Sequence, residues 1–150
     1  MTGRKQSYQS FFYLGTLKTI QFLLISYYQM NAYRLFNTNE GHSAFQKGTV
    51  EDLLQLEAAY FFFQEDGPER KGFDWHPAPR PQYVITLRGK LEFTVTDGST
   101  FIVEPGDVLI AQDVIGRGHK WKVLGEESWA RIYIVLRDGE EDGFTSNNFV

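Results

Sequence analysis

Hydrophobic residues alternate with polar ones in short runs from residue 30 onward, and glycine and proline turns separate the runs. The clearest run places Leu91, Phe93 and Val95 at every second position, with polar residues between them. A period of two is the pattern of a strand with one buried face. The run ends on Asp97-Gly98, a dipeptide typical of tight hairpin turns. This part of the chain is therefore predicted to form β-structure.

The same pattern predicts further strands over most of the remaining sequence. They are expected at residues 56–66, 83–89, 99–111 (two strands broken at Pro105-Gly106), 119–125 and 129–138. In the last of these, Ile132, Ile134 and Leu136 are available to a core. Many short strands with glycine and proline turns indicate an antiparallel sandwich or barrel. A helix is expected only at residues 10–29, and less strongly at 50–56.

The segment 1–29 differs from the rest because it has no acidic residue and is crowded with aromatic ones. Lys18 interrupts its apolar run, and the longest uninterrupted piece, residues 19–28, is shorter than the ~20 residues that span a bilayer. We therefore expect no stable membrane span. Three alternatives stay open: a dispensable extension or over-early start, an interfacial helix, or a weak secretion signal. The domain is expected at 30–137, followed by a loosely held acidic tail at 138–150.

Composition narrows the possible functions. A chain of 150 residues suits one domain, and its formal charge of −4 argues against broad nucleic-acid binding. The sequence contains no cysteine, which excludes disulfides, thiolate metal sites and a cysteine nucleophile. A chain without cysteine fits a reducing compartment, and we expect a cytoplasmic protein.

Two stretches carry a motif pattern. Residues 76–89, HPAPRPQYVITLRG, begin with a histidine and end on a glycine, and residues 105–119 run from Pro-Gly-Asp through a strand to a second histidine. Together and in this order they resemble the two motifs of the cupins, small barrels of the jelly-roll type. The resemblance implies an all-β fold, a cupin-type jelly-roll β-barrel, with a non-barrel, possibly helical N-terminal extension. It implies much less about function, since such barrels host many chemistries.

The resemblance also implies a degenerate metal site. Family members with complete motifs hold a metal ion through three imidazoles and a carboxylate. Here His76 and His119 keep two of those positions, while Ala78 and Gln82 stand where a histidine and a glutamate would be. A methyl group donates nothing, and a neutral amide does not balance a divalent charge. We therefore expect no cofactor, or a divalent metal weakly held by His76, Gln82 and His119.

The same residues suit a metal-free pocket. His76 and His119 could serve as general acid and base near neutral pH, and Gln82 can donate and accept hydrogen bonds. Arg80 would clamp a carboxylate or phosphate at the barrel mouth, or else pair with an acidic surface neighbour. Asp113 would fix the tautomer of an imidazole as a catalytic partner, or else cap a turn.

Four other residues are weighed between the pocket and the scaffold. Tyr133 and Trp121 would line the pocket or fill the core, with core filling the safer interpretation. Trp75 would form a pocket rim or pack under the N-terminal segment. His42 lies in a polar stretch, NEGHSAF, and is expected to be exposed.

Three classes of function remain. The first is a binding protein for a small polar or acidic metabolite, with ligand contacts from His76, Arg80, Gln82, His119 and Tyr133. The second is an enzyme, either a metal-free isomerase or epimerase or a metal-dependent oxygenase. The third is a structural module. A homodimer is expected, because exposed sheet edges and aromatic faces often pair.

Overall fold

The computed structural model describes residues 29–52 and 54–147, and within them every regular element is a strand. The strands are β1 (Asn31–Asn37), β2 (Ser43–Val50), β3 (Ala58–Glu65), β4 (Gly72–His76), β5 (Gln82–Arg88), β6 (Lys90–Thr94), β7 (Thr100–Val103), β8 (Val108–Ala111), β9 (His119–Leu124), β10 (Ala130–Leu136) and β11 (Phe144–Ser146). No helix in this part of the chain is long and apolar enough to cross a membrane.

Both helix predictions can be compared with this description. The helix expected at 10–29 lies outside the described residues, apart from its last position. The shorter one expected at 50–56 is wrong for the residues described there, which form no helix. This segment instead runs from β2 to β3, and Leu56 packs against a hydrophobic cluster on the outside of the larger sheet.

The strands form two sheets. The larger has seven strands in the order β11-β2-β1-β8-β5-β10-β3, and the smaller has four in the order β4-β9-β6-β7. All strand pairs are antiparallel except β1 and β8, which run parallel. The all-β prediction is confirmed, and the strands expected from alternation lie within a few residues of their predicted bounds.

The main hydrophobic core lies between the two sheets. Residues from both contribute to it, among them Leu35 and Val84 from the larger sheet and Leu91, Phe93 and Trp121 from the smaller. Burying these side chains removes apolar surface from water, worth about 25 cal/mol per Å². One face of each sheet is thereby fixed toward a shared interior.

A second hydrophobic cluster covers the outer face of the larger sheet. It includes Val108 and Ile110 of β8, Tyr83 of β5 and Leu136 of β10. All four residues of β8 are buried, because the strand faces the main core on one side and this cluster on the other.

The prediction of a loosely held tail is wrong for its described part. Phe144–Ser146 pairs with β2, and the Asp142 carboxylate is buried. The carboxylate accepts hydrogen bonds from Gln112 at 2.7 Å and from Arg34 at 3.4 Å. The backbone carbonyl of Asp142 accepts a further hydrogen bond from the Tyr83 hydroxyl. Burial, aided by the Asp142 charge, raises the pKa of Tyr83 to about 12. These partners hold the acidic segment against the sheet.

Candidate functional site

A cavity of about 180 Å³ opens between the two sheets. All five residues predicted to contact a ligand line it, namely His76, Arg80, Gln82, His119 and Tyr133. Its walls are aromatic, with Phe62, Phe93, Trp121 and Trp129. The structure therefore brings together polar groups that are spread over 58 positions of the sequence, in a cavity whose other lining residues are apolar except for Gln64.

His119, the first residue of β9, is held by a buried carboxylate. Its Nδ1 lies 2.7 Å from Oδ2 of Asp113, which is fully buried and also accepts a hydrogen bond of 2.7 Å from the Ser43 hydroxyl. Asp113 therefore contacts an imidazole, which is the first of the two roles expected for it, the other being to cap a turn. Because a carboxylate accepts, Nδ1 donates and Nε2 of a neutral His119 is left as a lone-pair acceptor.

His76, the last residue of β4, faces His119 across the strand pair. The two residues are in register, and their ring centroids are 4.6 Å apart. Nδ1 of His76 donates to the Asp74 carbonyl at 2.6 Å, which leaves its Nε2 as an acceptor when the ring is neutral. Burial lowers the pKa of His76 below its ordinary value, and the His119 charge adds to this, while the Asp74 hydrogen bond partly opposes it. His76 is thus biased toward the neutral form.

Gln82 begins β5 and pairs with Ala111 of β8. It is only 5% exposed, lines the cavity, and its side-chain amide has no hydrogen-bond partner among the described residues. Its amide atoms are not among the enclosed side-chain atoms of the described chain that lack a partner, which are Arg34 Nε and Asp113 Oδ1, so the amide is accessible from the cavity. Ala78 is also buried and lines the cavity, and its backbone N–H donates to the Asp113 carbonyl at 3.1 Å.

Arg80 and Tyr133 lie toward the mouth. The Arg80 guanidinium is exposed and sits over the Tyr60 ring, 5.5 Å from its centroid. It makes no ion pair with an acidic residue in the described chain, so the alternative of a surface ion pair is not what the structure shows. Tyr133 stacks on Phe62 at 4.8 Å, and its hydroxyl accepts a 2.8 Å hydrogen bond from Arg131. The Tyr133 hydroxyl can still donate.

Arg131 and Asp66 form a buried ion pair that the sequence analysis missed. They are 2% and 5% exposed, with Nη1 and Oδ2 at 2.9 Å. The guanidinium also lies 3.7 Å from the centroid of the Trp129 ring. Arg131 therefore braces two residues of the cavity wall, Trp129 and Tyr133.

The residues of β10 that were expected in a core do not face the cavity. Tyr133 lines the cavity from β10, and Arg131 bonds to the Tyr133 hydroxyl without lining the cavity. Leu136 and Ile134 join the outer cluster. Leu136 and Ile134 do enter a core, as predicted, but it is the second one. The sequence signal was ambiguous because both sides of β10 carry large side chains.

The loop before His119 depends on a glycine. Gly118 has φ +72°, and a Cβ there would clash with the His76 carbonyl and the Pro77 nitrogen. The loop backbone therefore packs directly on the end of β4, which places His119 beside His76. Only glycine satisfies both the close approach and the left-handed conformation without strain.

The three other candidates from the sequence are Trp75, Trp121 and His42, and only Trp121 lines the cavity. Trp75 stacks with Arg117, 4.0 Å from ring to guanidinium, and does not line the cavity. Trp121 was expected either to line the pocket or to fill the core, and it does both, since it belongs to the main core and lines the cavity. His42 is exposed, as predicted.

The residues present do not fit a tightly held transition metal. The described part of the chain contains no group of three or more His, Cys, Asp or Glu side chains placed to hold an ion. Asp113 is already engaged with His119 and Ser43, so the cavity offers two imidazoles and the Gln82 amide. Strong retention usually takes three or four protein ligands.

No model of a known protein family matches the sequence, and no curated protein matches it. Among solved structures, a DUF861 family protein from Thermotoga maritima is 26% identical, with 51% of this chain and 77% of that chain covered and a TM-score of 0.35. A cupin 2 conserved barrel domain protein from Leptotrichia buccalis is 14% identical, covering 61% and 48%, with a TM-score of 0.33. The Cnp3 cupin domain of Schizosaccharomyces pombe is 18% identical, covering 74% and 90%, also at 0.33. The chain is similar to these three structures, and the likenesses identify no shared function.

Proposed function

We propose that this chain is a cupin-type protein that binds a small polar or acidic metabolite in the cavity between its sheets. The observation that carries the proposal is Gln82, whose side-chain amide lines the cavity and makes no hydrogen bond to the described part of the chain. A folded protein tolerates such a group where a ligand or water completes its hydrogen bonds. A purely structural interior would be filled with apolar side chains instead.

The polar groups around the cavity favour one class of ligand. In their neutral forms His76 and His119 each present an Nε2 acceptor, which suits hydroxyl or amine donors on the ligand. Gln82 accepts and donates between them. Arg80 is the cation at the mouth, which suits a carboxylate or phosphate at the outer end of the ligand.

The walls and the volume limit the ligand's size. At about 180 Å³ the cavity is smaller than the ~300–1,000 Å³ of pockets for drug-sized ligands. Trp121 and Trp129 offer flat apolar faces against which a compact carbon skeleton can pack. A small hydroxy acid or sugar acid has the required combination of hydroxyls, anionic end and apolar ring or chain faces.

An acid–base enzyme is the second candidate, and the 2.7 Å contact between His119 and Asp113 favours it. A carboxylate that holds Nδ1–H orients the imidazole and stabilises its protonated form, which makes Nε2 a competent general base. His119 would remove a proton from a carbon next to a carbonyl and leave an enolate. The protonated His119 would then return that proton to the neighbouring carbon in an isomerisation, or water would deliver a proton to the opposite face in an epimerisation. An isomerase or epimerase on the same class of ligand needs no metal for this step.

A thermal-shift screen tests the binding proposal. The full-length protein is melted against a panel of hydroxy acids, sugar acids and sugar phosphates, and separately against Fe(II), Mn(II) and Zn(II), with and without a chelator. A ligand that binds only the folded state raises Tm, by an amount equivalent to about 2.7 kcal/mol at 100 Kd. The proposal expects a shift from at least one organic acid, unaffected by chelator. A shift that requires metal, or no shift from any acid in the panel, contradicts it.

The enzyme candidate is separated from simple binding by solvent exchange. Any organic ligand from the screen is incubated with the protein in D2O and followed by proton NMR. Loss of the signal of a proton next to a carbonyl, dependent on His119, identifies acid–base chemistry. A bound ligand whose carbon-bound protons all stay unexchanged identifies a binding protein.

A further inference from the structure

Among the residues that the structure describes, strand β3 forms one edge of the seven-stranded sheet and is paired only with β10. Its central residues are exposed aromatics: Tyr60 is 45% exposed, Phe61 63%, Phe62 38% and Phe63 68%. Four consecutive large aromatics on an open sheet edge are an unusual feature, because soluble proteins seldom leave contiguous apolar patches uncovered.

Both sides of β3 are apolar. On the cavity side Phe62 stacks on Tyr133 and Tyr60 carries Arg80. On the outer side Phe61 and Phe63 pair with Ile134 and Ile132 of β10. A strand that is apolar on both sides is typical of the interior of a sheet, where neighbours lie on both edges.

Strand β3 also lacks the charged residues and prolines that usually keep an edge strand from pairing with another chain. Residues 58–64 contain no charged residue and no proline, and the lysines that commonly guard sheet edges are missing. The acidic residues Glu57 and Glu65 lie just outside this uncharged segment and form exposed ion pairs with Arg137 and Arg88. No described strand pairs with the outer edge of β3, and its uncharged sequence suits pairing with another uncharged strand.

We propose that a second copy of this chain pairs with β3, antiparallel and about a two-fold axis perpendicular to the sheet, with Phe62 opposite Phe62 of the partner subunit. Such an axis places residues of the same side opposite one another, so the centre of pairing falls on a residue. Centring on Phe61 would set Glu57 opposite the partner's Glu65, and like charges directly opposite destabilise a pair. Centring on Phe62 avoids this and sets Phe61 opposite the partner's Phe63.

The pairing has a consequence for the cavity. In this register the partner's Gln64 lies opposite Tyr60, the ring that carries Arg80 at the cavity mouth. Phe62 and Gln64 themselves line the cavity. The dimer would thus extend the wall of each mouth with side chains of the other copy. The dimer proposal does not depend on any ligand, so its test is independent of the test of ligand binding.

Sedimentation of the full-length chain tests the dimer. We expect twice the monomer mass at micromolar concentration for the wild type, and the monomer mass for Phe63→Lys, whose exposed position tolerates a charge in the folded monomer. Leu87→Lys, on a 52% exposed residue of β5, is the matched control and keeps the dimer. A monomeric wild type, or a Phe63→Lys variant that folds by circular dichroism and remains dimeric, overturns the proposal.

Single cysteines test the register, since the chain has none of its own. Opposed residues of antiparallel strands have Cα atoms about 4.5–5.5 Å apart, within the ~4.4–6.8 Å that a disulfide spans. Phe62→Cys is expected to form a covalent dimer rapidly under mild oxidation. Tyr60→Cys, on the same side but four residues out of register with its counterpart, and Leu87→Cys are expected not to. Equal cross-linking of all three overturns the assignment.

Discussion

The His119 imidazole and the Asp113 carboxylate meet at 2.7 Å inside the wall of the cavity, and this contact organises the candidate site. Asp113 in turn accepts from the Ser43 hydroxyl, and its backbone carbonyl accepts from Ala78. One buried acid thus ties together the loop before β9, strand β2 and the proline-rich segment after β4. The His119 imidazole lines the cavity, whereas Asp113 and Ser43, which hold it in place, do not.

Replacing Asp113 by alanine is expected to destabilise the fold as well as the site. The change leaves the His119 Nδ1–H and the Ser43 hydroxyl buried without a partner, and each such loss costs about 1–3 kcal/mol. Urea unfolding followed by tryptophan fluorescence measures the difference. Asp138→Ala, at an exposed position, is the control and should stay within about 0.5 kcal/mol of wild type. A loss for Asp113→Ala as small as that of the control would contradict the role given to this contact.

His76 is expected to titrate below the ordinary histidine pKa of 6.5. Because the folded state resists protonation, the unfolded chain takes up the proton first as the pH falls through the ordinary value. Stability therefore decreases as pH drops below about 6.5, and His76→Gln removes that part of the decrease. NMR titration of the imidazole Cε1–H signals, assigned with His76→Gln, measures the pKa directly. A His76 pKa at or above the ordinary value would contradict the burial argument.

Gly118→Ala is expected to destabilise more than an ordinary left-handed glycine replacement. The left-handed backbone alone costs about 1–2 kcal/mol for a residue with a Cβ. At Gly118 the added Cβ also meets the His76 carbonyl, whereas at Gly98, with φ +87°, it meets nothing within 4 Å. Gly98→Ala is therefore the matched control. The two variants are compared by urea unfolding, and equal losses of unfolding free energy would show that the close approach to His76 does not matter.

The ion pair between Arg131 and Asp66 is expected to be strongly coupled. Arg131→Met leaves a buried carboxylate without its main partner, a change that typically costs about 3–5 kcal/mol. Asp66→Leu in the same background is expected to recover part of the loss, with a coupling of about 0.5–3 kcal/mol in a double-mutant cycle. If the loss of unfolding free energy in the double variant equalled the sum of the losses in the two single variants, Arg131 and Asp66 would not be coupled.

The strand pattern was readable because one side of each strand faces a single core. Leu91, Phe93 and Val95 are all buried, as their alternation predicts. Strand β10 was harder, since a charged residue in a strand is normally assigned to solvent. Arg131 faces inward only because Asp66, 65 positions earlier, neutralises it, and no local pattern encodes a partner at that distance.

The candidate site shows the same division. His76, Gln82 and His119 were found from motif spacing, which reflects where neighbouring strands place their side chains. Ser43 and Gln64 were missed, because serine and glutamine in a strand look like ordinary solvent-facing residues. The ordered tail was missed for a similar reason: Asp142 reaches Arg34, 108 positions away, and a run of acidic residues alone is typical of a loose end.

Isothermal titration calorimetry with the strongest organic acid from the melting screen tests the central claim most directly. We expect saturable binding at one ligand per chain, reduced at least about tenfold, or 1.4 kcal/mol, by Gln82→Leu and by His119→Ala. Ile115→Ala, at an exposed loop residue outside the cavity, is expected to bind like wild type. Undiminished binding by folded Gln82→Leu and His119→Ala variants would contradict the claim that this cavity is the ligand site.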